Sequence, residues 1–215
     1  MNKFIQQDLT PDIVKTDNPR IGLIALSTDF TIEQDFRNIC HHNPVDIFVN
    51  RIPFENPLNH KNYLKMADHI SEVSSQILPS EDIDIVAYGC TSGTIAIGAD
   101  RIKEEVNKAK PKAKVTTPIT AAMKAFNHLG LKKIAVLTPY PKDVNATVYN
   151  YLIDNNINVE SFSSFNLEYD SEIAQVSLAS LEKEISKIDL SNVDGLFVSC
   201  TALKIVDVLD RVASS

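Results

Sequence analysis

Asp84-Ile-Val-Ala-Tyr-Gly-Cys-Thr-Ser-Gly-Thr94 is the stretch from which the rest of the chain can be read. Ile83, Ile85, Val86 and Ala87 form a short apolar run, the pattern of a strand covered on both faces, and Gly89 permits a tight exit from it. From Ser92 onward the period changes. Ile95, Ala96, Ala99, Ile102 and Val106 recur at spacings of three and four, with Glu104, Glu105 and Lys108 between them, which predicts a helix. Cys90 therefore falls at the carboxyl end of a strand and just before a helix amino terminus. Free backbone N–H groups and the positive end of a helix dipole are expected to favour a thiolate there and to offer a seat for an anionic group.

The same device recurs 110 residues later, in Asp194-Gly-Leu-Phe-Val-Ser-Cys-Thr-Ala-Leu-Lys204. It again runs from Asp through apolar residues to Cys-Thr, and then into the helical pattern Leu203, Val206, Leu209 and Ala213. The entries to the two halves also correspond. Arg20-Ile-Gly-Leu-Ile-Ala-Leu26 resembles Lys133-Ile-Ala-Val-Leu-Thr-Pro139, and Ile21 precedes Cys90 by 69 residues where Ile134 precedes Cys200 by 66. A repeat of this length predicts two similar units, residues 1–114 carrying Cys90 and residues 115–215 carrying Cys200.

Between these landmarks, apolar runs and helical periods alternate. Strands are expected at 20–26, 46–50, 115–118, 133–138 and 158–162, and helices at about 32–41, 62–78, 118–128, 143–154 and 171–188, after an irregular leader over 1–19. Alternation of this kind implies parallel sheets with right-handed crossovers. Ligands of such sheets bind beyond the carboxyl ends of the strands, where the loops 27–31, 90–94, 139–143 and 200–202 are expected. Ile32, Phe36, Ile39 and Cys40 share one helical face, so Cys40 reads as a small core residue.

Composition narrows the function classes. Of 215 residues, 44% are hydrophobic and 23% charged, and no run approaches the roughly 18 apolar residues of a membrane span. The formal charge of −7 argues against broad nucleic-acid binding, and Met1 to Asn18 lacks the apolar centre of a signal peptide. A cytoplasmic protein acting on small molecules is expected, with its three cysteines reduced, no membrane or nucleic-acid partner, and a homo-oligomer possible. The five histidines match no metal spacing and six glycines form no phosphate loop, so no cofactor or metal is expected.

Two cysteines at equivalent positions of two facing halves suggest one thiol on each side of a substrate. One thiolate can remove a proton while the other thiol supplies one from the opposite face, or one can add to an activated double bond. Two ordinary buried cysteines, or a redox pair, are the alternatives. Ser92, Thr94 and Thr201 can cap helices or hold a carboxylate, and Tyr140, set between Pro139 and Pro141, is rigidly presented and can donate a hydrogen bond or simply pack.

Gly89-Cys-Thr-Ser-Gly-Thr94, Thr117-Pro-Ile-Thr-Ala-Ala122, Leu137-Thr-Pro-Tyr140 and Ser199-Cys-Thr201 together resemble the aspartate/glutamate racemase superfamily, in its maleate isomerase and arylmalonate decarboxylase branch. The resemblance covers about 20–213. It implies an α/β protein of two flavodoxin-like parallel-sheet domains related by a pseudo-twofold axis, with a cofactor-free site between them. Carried over by motif, it implies Cys90 and Cys200 as catalytic residues and Thr91, Ser92, Tyr140 and Thr201 as substrate anchors. Ala25 to Glu33 and Cys90 to Asp100 look closest to ectoine-utilisation members of the branch. The family continues past the second cysteine helix with a further strand and helix, so a truncated chain is expected.

Asp29 and Asp170 stand where maleate isomerases have Asn. Ionised Asp offers only acceptors, and like charges about 4 Å apart cost on the order of a few kcal/mol in a partly buried site. Asp29 and Asp170 are thus expected to bind substrate by favouring one carboxylate and a cationic or donating nitrogen over a dicarboxylate. The alternative is that each caps the helix after it. A non-catalytic ligand-binding protein of a catabolic pathway is the competing function.

Overall fold

The computed structural model describes residues 5–213, so the outermost residues of both expected units lie outside the described ones. Residues 5–19 have no regular structure, and Ile5, Leu9, Ile13 and Val14 are exposed there. The first sheet is built from β1 (Arg20–Leu26), β2 (Asp46–Ile52), β3 (Ile85–Tyr88) and β4 (Lys114–Thr116), in the order β2-β1-β3-β4. The second is built from β5 (Lys133–Thr138), β6 (Asn158–Ser164) and β7 (Gly195–Val198), in the order β6-β5-β7. Every pairing is parallel. The chain is thus α/β with two parallel sheets, and β6-β5-β7 repeats the arrangement β2-β1-β3. The strand near 115 extends the first sheet beside β3 rather than opening the second.

Parallel strands need crossovers, and helices supply them. In the first half these are α1 (Ile32–Cys40), α2 (His60–Lys65), α3 (Ile70–Ser75), α4 (Thr91–Ile97), α5 (Ala99–Ala109) and α6 (Pro118–Leu129). In the second they are α7 (Lys142–Asp154), α8 (Asp170–Ile173), α9 (Leu178–Ile185) and α10 (Leu209–Ala213). The central strands carry the core. Leu23, Ile24 and Ala25 of β1 and Ile134, Ala135 and Val136 of β5 are fully buried, and each such Leu, Ile or Val contributes roughly 1.5–3 kcal/mol. One apolar cluster runs through both halves, from Ile24 and Tyr88 to Val136 and Leu203.

The aspartate that opens each cysteine strand has a structural role. Asp84 accepts the Arg20 N–H at 2.8 Å, and Asp194 accepts the N–H groups of Lys132 and Lys133 at 2.7 and 2.8 Å. Each carboxylate therefore ties the start of a cysteine strand to the start of its central neighbour, and the two thiols leave their sheets at matching heights.

Several expected helices are broken, each for a local reason. The helix after Cys90 ends at Gly98, whose φ of 94° suits glycine, and α5 then restarts on a new axis. The helix expected over 171–188 becomes α8 and α9, because Ser177 adopts extended backbone and its hydroxyl accepts the Ser180 N–H at 3.1 Å as a fresh cap. The helix expected over 62–78 is α2 and α3 joined by a 3-10 turn at Met66–His69. Cys40 is half-exposed at the last turn of α1 and its neighbour Ile39 is 60% exposed, so Cys40 is no core residue. No helix among the described residues is long and apolar enough to cross a membrane.

Candidate active site

Strand β3 delivers Cys90 in extended conformation, φ −146° and ψ 118°, as the cap of α4. Its Sγ accepts the Gly93 N–H at 3.2 Å with Ser92 Oγ at 3.9 Å, and its carbonyl accepts the Thr94 hydroxyl at 2.6 Å. Glycine is needed at 93 by close approach, since a Cβ there would lie 2.8 Å from both Cys90 Sγ and Met66 Cε. Strand β7 delivers Cys200 differently. No helix follows it directly, because residues 201–205 form turns and a 3-10 segment begins only at Val206. Cys200 sits at φ 147°, a conformation rarely adopted by side-chain-bearing residues and costing on the order of 1–3 kcal/mol. Its Sγ accepts the Ala202 N–H at 3.4 Å.

Four other groups gather around these two sulfurs. The phenols of Tyr63 and Tyr140 and the carboxyl groups of Asp29 and Asp170 each interact electrostatically with both Cys90 and Cys200. Cys90, Tyr63, Tyr140, Asp29 and Asp170 are all buried, and Cys200 is half-buried. Tyr63 was not legible as a site residue, because α2 reads as an ordinary amphipathic helix. The available signal was a polar-tipped ring on the same buried face as Met66, Ala67 and Ile70.

The electrostatics reverse one expectation. Burial pushes the Cys90 thiol up to about 12, Gly93 N–H and Ser92 oppose the rise, and the charges of Asp170 and Asp29 add to it. Burial and Asp170 likewise push Cys200 up, against Ala202 N–H and Tyr140. Both sulfurs are therefore held as thiols, since desolvation and two carboxylates outweigh the hydrogen bonds and a seven-residue helix. Burial also raises both phenols well above their usual range, so Tyr63 and Tyr140 stay neutral O–H donors.

The two aspartates differ in what they have left to offer. Asp29 Oδ1 accepts the N–H groups of Thr31 and Ile32 at 2.7 and 2.9 Å, which holds the start of α1, and its Oδ2 accepts the Thr201 hydroxyl at 3.1 Å. Burial raises its pKa, with these bonds and Arg51 opposing. Asp170 does not cap α8 as the residue before it; it is the first residue of that helix. Its Oδ2 accepts the Thr28 hydroxyl at 2.5 Å, while its other oxygen has no hydrogen-bond partner among the described residues. Burial pushes its carboxyl up to about 6, the Thr28 hydroxyl opposes, and the Asp29 charge adds.

The remaining expected anchors are dispersed. Ser92 and Tyr63 line a cavity of about 60 Å³ that also touches His60, Val144 and Thr147. Thr91 instead lines a cavity of about 310 Å³ with Tyr88, Phe197, Cys200 and Thr201. Thr201 bridges the halves, its single hydroxyl proton shared between Asp29 and, at 3.2 Å, the Gly89 carbonyl. Among the described residues no three His, Cys, Asp or Glu side chains are placed to hold a metal ion.

Known proteins share this architecture. The chain is 24% identical over 206 residues to the maleate isomerase of Geobacillus stearothermophilus, covering 90% of this chain and 82% of that protein. The crystal structure of the maleate isomerase Iso from Pseudomonas putida S16 superposes with a TM-score of 0.81 at 18% identity, covering 92% of this chain and 85% of that one. A mutant of Nocardia farcinica maleate cis-trans isomerase carrying a covalently bound succinylcysteine intermediate superposes with a TM-score of 0.77 at 16% identity, covering 87% and 80%. The family model described as arylmalonate decarboxylase matches residues 56–215, and with three quarters of its length so matched the chain belongs to that family.

Proposed function

We propose that the protein is a cofactor-independent isomerase or racemase of a small carboxylate that works through Cys90 and Cys200. The observation that carries this reading is the shared surroundings of the two thiols: Tyr63, Tyr140, Asp29 and Asp170 act on both sulfurs at once. The relatives support it, being named maleate isomerases, and one related structure holds a cysteine-bound intermediate. Two courses fit such a pair. In one, a thiolate adds to a carbon–carbon double bond next to the carboxylate, the new single bond rotates, and the thiolate leaves. In the other, one sulfur takes a proton from a carbon beside the carboxylate and the opposite thiol returns one to the other face. In both, Tyr63 and Tyr140 steady the negative charge that develops on the carboxylate oxygens. Because both sulfurs start as thiols, substrate binding must ionise one of them.

The finer reading places the reaction in the breakdown of ectoine, in the cytoplasm, as the likeness of residues 25–33 and 90–100 to ectoine-utilisation proteins supports. The test is incubation of small unsaturated and chiral carboxylates, ectoine and its hydrolysis products with the protein in deuterated water, followed by proton NMR. Turnover or carbon-bound deuterium is expected with the wild type, and Cys90→Ser and Cys200→Ser are each expected to lower it by at least about 1000-fold while keeping the wild-type circular dichroism. Full turnover in both variants refutes the reading. Tight binding with neither turnover nor exchange favours a ligand-binding protein.

A further inference from the structure

Asp170 presents an unusual combination for a buried carboxylate. It is 4% exposed, one oxygen is free, and no Lys, Arg or His among the described residues forms an ion pair with it. The titratable groups that face it are Asp29, Cys90, Cys200 and Tyr63, which are either acidic or neutral. Asp29 is not a second candidate, because both its oxygens are committed to Thr31, Ile32 and Thr201. A second open group lies within the electrostatic reach of Asp170. The Tyr63 hydroxyl is buried with no hydrogen bond of regular geometry among the described residues; Ser92 is its polar neighbour, and Cys90, Cys200 and Asp170 act on it. A buried donor left open costs stability unless a ligand completes it, and the carboxylate has an acceptor to spare. They also have opposite needs: the phenol requires an acceptor and the carboxylate a donor or a cation.

Resting on the reading of this cleft as the active site for a small carboxylate, we propose that Asp170 receives a cationic or N–H-donating nitrogen of the substrate while Tyr63 donates to its carboxylate. The substrate class is then a zwitterionic amino or amidino carboxylate, and a dicarboxylate of the same length is discriminated against. The arrangement also removes one of the obstacles to ionising a thiol, the largest being burial. The Asp170 charge opposes thiolate formation at both sulfurs. A cation seated on Asp170 cancels that opposition, whereas a second substrate carboxylate increases it. The right substrate thus lowers the thiol pKa values on arrival.

The test is isothermal titration calorimetry with cis-4-aminobut-2-enoate and maleate, which share a carbon skeleton and differ in the sign of one end. Wild-type protein is expected to bind the zwitterion at least about tenfold more tightly than the dianion at pH 7.5, and Asp170→Asn to erase or reverse that preference. Zwitterion affinity of the wild type is further expected to rise between pH 5 and 7 as the carboxyl ionises, a readout that needs no variant. Equal affinities, tighter binding of maleate than of the zwitterion at pH 7.5, or a preference insensitive to Asp170→Asn overturns the proposal. Turnover of maleate by the wild type sinks the proposal and leaves the isomerase reading standing. Asp170-dependent zwitterion binding without isotope exchange in any compound does the converse.

Discussion

Replacing Asp170 by Asn is expected to stabilise the fold, and the gain should depend on pH in a defined direction. Burial pushes the carboxyl up to about 6 from an ordinary 3.8. Each unit of difference corresponds to about 1.4 kcal/mol, so the ionised group costs the folded state on the order of 3 kcal/mol at neutral pH. Because the folded pKa lies above the unfolded one, the native state binds the proton more tightly. The stabilisation from protonated Asp170 is complete below about pH 4 and is lost as pH rises through about 6. Asn is neutral at every pH, and its carbonyl oxygen can still accept the Thr28 hydroxyl. Urea unfolding followed by circular dichroism should therefore show Asp170→Asn more stable than wild type by roughly 3 kcal/mol at pH 7.5 and nearly equal at pH 4. A variant less stable than wild type at pH 7.5, or a gain of the same size at both pH values, refutes the reasoning. A carboxylate retained at such a cost is the kind of residue that function selects and stability alone does not.

Gly93→Ala sets a Cβ 2.8 Å from Cys90 Sγ and from the tip of Met66. The thioether can swing aside and the sulfur must shift, so turnover is expected to fall by at least about tenfold while the melting temperature changes little, alanine being up to about 1 kcal/mol the better helix former. An unchanged kcat with normal alkylation of Cys90 would disprove the close approach. Cys40→Ser is expected to change unfolding free energy by no more than about 0.5 kcal/mol, because the residue is half-exposed at the end of α1. A loss above about 2 kcal/mol in urea unfolding would return Cys40 to the core.

The strands could be read from the sequence because strands buried on both faces leave near-continuous apolar runs, as in Leu23 to Leu26 and Ile134 to Leu137. The thiols could be located because the duplication marks the same strand end twice. What the sequence hid was decided by single backbone or tertiary choices. Gly98 reads as a tolerable residue inside a helix, yet its φ of 94° divides α4 from α5. Cys200 repeats the Cys-Thr of the first half, but its chain turns at once, so the two thiols do not share a helix-dipole environment. Local pattern could not show that desolvation, which depends on the whole fold, would outweigh the dipole at Cys90. It also could not distinguish Asp29, whose oxygens are consumed by α1 and Thr201, from Asp170, whose second oxygen stays open.

The hydroxyls that end on the opposite half give the cleft a clasp. Thr28 of the first half holds Asp170 of the second; Thr201 of the second holds Asp29 and the Gly89 carbonyl of the first; and Thr31 donates to the Ala202 carbonyl at 3.0 Å. Each such bond is worth a net of about 0.5–1.5 kcal/mol, so together they add a few kcal/mol to the apolar contacts that hold the halves together. Any parting of the halves that admits a molecule to the buried Cys90, or releases it, must break these bonds. Dwell time in the cleft is then governed by the same side chains that judge the substrate's charge. Changes at Thr28, Asp29, Asp170 or Thr201 will move selectivity and residence together, and the two properties cannot be adjusted separately at these positions.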